Sequence, residues 1–141
     1  MAREAIVLGS NGPDWQSRLD YAVTDASEIA RVLKTRCGFE VTTLPDDIRP
    51  QDAMANIENI AGKANEADSL VVYFSGHGEI LRGRLFLMLT NTTSDILGTA
   101  LNSHHILDAM QLSRASHKLT ILDCCHAEGR VLGEVRRSRS I

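Results

Sequence analysis

No apolar run in the sequence approaches the roughly 18 residues that a membrane-spanning helix needs, and the short apolar stretch at Ala5–Leu8 is no signal peptide. Cysteine is scarce: three in all, an odd number with two adjacent, which builds no disulfide framework and points to a reducing, cytoplasmic setting. Positive charge is not in excess. A net charge of −3 and a pI near 5.9 argue against a nucleic-acid partner. Internal repeats and low-complexity segments are absent, and Gly9-Ser10-Asn11-Gly12 lacks the Gly-Lys-Ser/Thr ending of a phosphate loop. A nucleotide-binding or receiver-type domain therefore has little to stand on.

What remains is a chain of 141 residues with 43% hydrophobic content, enough for one domain with a real core. Apolar residues recur at helical spacing in two places: Ala22, Ala26, Ile29, Ala30 and Leu33, then Ala53, Ile57, Ile60, Ala61 and Ala64. Gly38 is placed to close the first of these helices and Pro50 to open the second. Between and after them lie strand-like runs: Ala5–Leu8, Phe39–Leu44, Leu70–Phe74, Leu85–Leu89 and Leu119–Leu122, with a third helix over about 103–112. Strands alternating with helices predict a three-layer α/β/α sandwich around a mostly parallel sheet. Only the last residues, from Arg136, read as a solvated tail.

Sheets of this kind place their sites beyond the carboxyl ends of the strands. Two strands end in reactive side chains here. Phe74 leads into Ser75-Gly76-His77-Gly78, and Leu122 into Asp123-Cys124-Cys125-His126. His77 and Cys125 each stand three residues past the apolar run, so neighbouring strands would set them at the same height. An imidazole beside a thiol populates the thiolate at neutral pH, which is the nucleophile of a cysteine protease. The glycines around His77 suit close approach of a ligand. A zinc site from His77, Cys124, Cys125 and His126 is disfavoured, because consecutive residues rarely converge on one tetrahedral ion. Cys124 and Cys37 read as packing residues.

Tyr73-Phe-Ser-Gly-His-Gly78 and Ile121-Leu-Asp-Cys-Cys-His126 resemble the histidine and cysteine motifs of caspase-like cysteine proteases of the metacaspase and bacterial orthocaspase type. The resemblance covers about residues 5–129 and implies the caspase-hemoglobinase-like fold. It makes His77 the base, Cys125 the nucleophile, and the backbone N–H groups of Gly78 and Cys125 an oxyanion hole. Asp25, Ser75 and Asp123 become the walls of the substrate pocket, and the charge of its two carboxylates predicts Arg or Lys before the scissile bond. The sequence departs from the family pattern after the nucleophile, where Ala127-Glu128-Gly129 follows His126.

Residues 1–130 are then the catalytic, large-subunit domain, and 131–141 a linker or processing tail. The chain ends 16 residues after Cys125, so the small-subunit strands are expected elsewhere in the same polypeptide. The partners implied are protein or peptide substrates and that small subunit or further domains, with neither nucleic acid nor membrane. No cofactor is expected. Calcium binding needs several carboxylates, and only Glu79 and Asp95 lie between Gly78 and Asn102, with Glu128 and Glu134 after Cys125. The competing reading is a catalytically silent caspase-fold scaffold or regulatory module, though such proteins typically lose one member of the dyad.

Overall fold

The computed structural model describes residues 1–16, 18–126 and 131–139, with residues 125, 126 and 131–139 through their backbone. Its elements are β1 (Arg3–Gly9), α1 (Ala22–Thr35), β2 (Glu40–Thr43), α2 (Pro50–Lys63), β3 (Ser69–Leu81) and β4 (Arg84–Met88). They are followed by α3 (Ile96–Thr99), β5 (Leu101–Asn102), α4 (Ser103–Leu112), β6 (His117–His126) and β7 (Val131–Arg139). Both periodic stretches fold as the helices that their spacing predicts. Pro50 sits at the start of α2, where its missing N–H has no intrahelical partner to lose. Asn102 caps α4 by accepting from the His104 backbone N–H at 2.9 Å.

The sheet is mixed. β2, β1, β3 and β6 run parallel, with β2 at one edge, while β4, β5 and β7 join antiparallel. The expectation of a mostly parallel sheet holds for these four strands alone. A two-residue turn at Arg82-Gly83, both at positive φ (53° and 77°), joins β3 to β4. That is the geometry whose twist matches a tight hairpin. The stretch expected as a solvated tail is, through Arg139, extended beside β6 as β7. Its run of arginines masked the strand, yet charge is what an edge strand tolerates.

Alternation along the central strands sorts the core into two faces. Ile6, Leu8, Leu70, Val72, Phe74, Leu122 and Cys124 pack with Ala53, Met54, Ile57 and Ala61 of α2 and Ile106 and Met110 of α4. Val7, Tyr73 and Ile121 pack with Ala26, Ile29, Ala30 and Leu33 of α1. These are the three expected layers, with α1 on one side and α2 and α4 on the other. Asp68 ties the start of β1 to the turn before β3, accepting from the N–H groups of Ala2 and Asn65 at 2.8 and 2.9 Å. Those bonds hold its carboxyl below the usual range. Among the described residues no helix is long and apolar enough to cross a membrane.

Candidate active site

β3 and β6 are neighbours in register, with Tyr73 opposite Ile121, Ser75 opposite Asp123 and His77 opposite Cys125. Backbones so paired lie about 4.8 Å apart. The ladder continues past the apolar runs, so His77 and Cys125 stand inside their strands and not on loops beyond them. What extends β3 is the hairpin with β4, in which His77 also faces Met88.

Cys124 is 1% exposed and belongs to the cluster under α2 and α4. It packs so closely beneath Gly78 that a side chain there would begin 2.8 Å from its sulfur. Gly76 is hemmed in by the Phe74 ring and the Ser10 carbonyl in the same way. The glycines flanking His77 are thus demanded by the protein's own packing, whereas the sequence had suggested a ligand.

His77 is buried, and its imidazole lies against the backbone of Gly12. The loop carrying Gly12 is braced from several sides. Ser10 donates its N–H to the Ser75 carbonyl at 2.9 Å, and its hydroxyl accepts from the Gly12 N–H at 3.2 Å. Asn11 accepts from Val23 N–H through its side chain at 3.1 Å, serving the first turn of α1. The Trp15 indole N–H donates to the Thr92 carbonyl at 2.7 Å, pinning the loop to the segment after β4.

On the α1 side, one step back along the strands, the Tyr73 hydroxyl donates to Asp123 at 3.4 Å. Burial is the main cause that pushes the Tyr73 phenol above its usual range. Asp123 and Asp25 add to the rise, while a hydrogen bond with Ser75 opposes it. Asp25, in the first turn of α1, is near enough to be felt by that phenol. The structure therefore brings Asp25, Ser75 and Asp123 around Tyr73, with Ser75 and Tyr73 buried and both carboxylates exposed. The residue that sequence reasoning passed over is Tyr73. It stood inside the quoted motif but read only as an apolar strand residue.

A caspase-domain family model matches residues 2–140. The chain belongs to the caspase-domain family. Among solved structures, protein GSU0716 from Geobacter sulfurreducens has the same fold, with a TM-score of 0.71 and 23% identity over 89% of this chain and 51% of that one. A fumarate hydratase class II from Thermus aquaticus is 28% identical over 92 residues, which is 65% of this chain and 20% of that protein. The chain thus spans about half of the solved relative and a fifth of the curated one.

In this caspase domain the paired His77 and Cys125 and the acidic surround of Tyr73 lie along one stretch of β3 and β6. A cavity of about 730 Å³ between α2 and α4 is lined by none of these residues and lies apart from them. Among the described residues no three His, Cys, Asp or Glu side chains converge as metal ligands.

Gly12 leaves no room for a side chain between its backbone and the His77 imidazole. Its φ is +103°, and an added Cβ would lie 2.5 Å from the imidazole Cδ2. Gly12→Ala is expected to displace His77 and lower kcat/KM by about a hundredfold, as a misplacement near 1 Å does. Steady-state kinetics beside a circular-dichroism melt will check this. A folded Gly12→Ala protein with unchanged kcat/KM refutes it.

Proposed function

We propose that this caspase domain is a cysteine endopeptidase of the metacaspase or orthocaspase type, cleaving after Arg or Lys with Cys125 and His77 as a dyad. The observation that carries the reading is the register that sets His77 opposite Cys125 at the end of the parallel ladder. In this mechanism the imidazole takes the thiol proton, and the thiolate attacks the scissile carbonyl carbon to form a C–S bond. The oxyanion is held by the N–H groups of Gly78 and Cys125. His77 returns the proton to the leaving amine as the C–N bond breaks, then activates the water that hydrolyses the thioester.

Tyr73, Ser75, Asp123 and Asp25 supply a site for a cation before the scissile bond. Their two carboxylates repel an acidic residue and can receive a guanidinium through charge-assisted hydrogen bonds. The reading includes turnover in the cytoplasm without added calcium, supported by how few carboxylates follow the two motifs. It also includes cleavage in the Arg136–Arg139 stretch of the 131–141 segment, which requires β7 to leave β6 so that the peptide is free to enter a site.

The test is hydrolysis by the full-length protein of peptide amides ending in Arg, Lys or Asp, in chelator. Release from the Arg and Lys peptides, with Arg ahead, is the expected result. Preferential release from the Asp peptide overturns the specificity. No release from any of them, with calcium present or absent, favours the silent scaffold.

A further inference from the structure

Two residues beyond His77 on β3 stands Glu79, a side chain that the mechanism above leaves unused. It shares a face of the hairpin with His77. Phe86 and Met88, the β4 partners of Glu79 and His77, lie in one buried cluster. Leu87, the partner of the intervening Gly78, packs in the other, under α2 and α4. A strand advances about 3.3 Å per residue, so Ser75, His77 and Glu79 follow one another at intervals of about 6.7 Å.

Glu79 is also electrostatically unfinished. One carboxylate oxygen is out of contact with solvent and has no hydrogen-bond partner. The three ion pairs among the described residues leave Glu79 out. Buried acceptors are almost always paired, and a carboxylate held this way favours any arriving donor that carries positive charge. Core packing alone does not account for it, because a neutral side chain of the same size would fill the space without that penalty.

We propose that Glu79 forms a subsite for a cationic residue immediately after the scissile bond, so that the preferred substrates carry two consecutive basic residues. The inference rests on the protease reading in one respect: the Ser75–Asp123 side takes the residue before the bond. The acyl half of an extended peptide then lies toward Ser75, the cleaved bond lies at His77, and the leaving half runs on toward Glu79. A Lys or Arg there approaches the partly exposed Glu79 and pairs with its carboxylate.

The experiment uses internally quenched peptides that present Arg before the bond and Lys, Gln or Glu after it, cleaved by the full-length protein. Lys is expected to raise kcat/KM about tenfold over Gln, and Glu to lower it by a similar factor. In Glu79→Gln the Lys-to-Gln ratio is expected to fall to about one while the preference for Arg over Asp before the bond persists. Glu79→Lys is expected to invert the ranking in favour of Glu, a result that simple damage to the strand does not produce. Cleavage that is indifferent to the residue after the bond, or a Lys preference that survives in Glu79→Gln, overturns the subsite and leaves the protease reading standing. Failure to cleave any of these peptides sinks both.

Discussion

Replacing Cys125 with Ala is expected to lower kcat/KM on an Arg peptide by at least about a thousandfold, and His77→Ala to do the same. The double variant should be no worse than either alone, because nucleophile and base act as a unit and losing one member already removes the pathway. Cys124→Ala provides the contrast. Its side chain is buried under Gly78 in the α2–α4 cluster. That change should cost stability of about 1 kcal/mol through lost packing and leave most of the turnover. The measurements are initial rates on one Arg peptide amide and thermal melts for all four proteins. An active Cys125→Ala variant, or inactivity confined to Cys124→Ala, would show that the nucleophile has been assigned to the wrong cysteine.

Asp123→Asn and Asp25→Asn are each expected to weaken cleavage after Arg by about ten- to a hundredfold. The figure corresponds to the ~1.5–3 kcal/mol of a hydrogen bond to a charged group. Both carboxylates are exposed in the structure, and solvent screening reduces what each can contribute before the substrate covers it. Asp123→Asn should have the greater effect, because Asp123 accepts from Tyr73 and stands opposite Ser75. The substitution also removes a charge that helps hold the Tyr73 phenol neutral, so the phenol should ionise at lower pH in the variant, as absorbance near 295 nm would report. Tyr73 favours its neutral form in the fold, so its contribution to stability is complete below the unfolded phenol's pKa. It is lost as pH rises through the folded value. Undiminished Arg cleavage in both variants would remove these carboxylates from the pocket.

The helices and the order of elements were legible because apolar spacing is a local property that survives without tertiary information. Ala22 to Leu33 and Ala53 to Ala64 show it clearly, as do the apolar runs of β1 and β3. The short α3 and β5 left no such mark. A four-residue helix and a two-residue strand have too few positions to display a period. β7 was hidden for a different reason: its arginines read as solvent-facing, and only the open edge of β6 gives them backbone partners.

The chemistry divides along the same line. The sequence by itself determined which residue types stand at the strand ends, the paired motifs around His77 and Cys125, and an acidic position two residues before Cys125. These follow from order along the chain. Only the tertiary structure decided which strands are neighbours, and hence that His77 faces Cys125 and Ser75 faces Asp123. It alone buried Cys124 under α2 and α4, set Gly12 against the imidazole, gathered the carboxylates around Tyr73 and left Glu79 with an unpaired oxygen. Each of these depends on contacts between segments far apart in sequence, which no local pattern encodes.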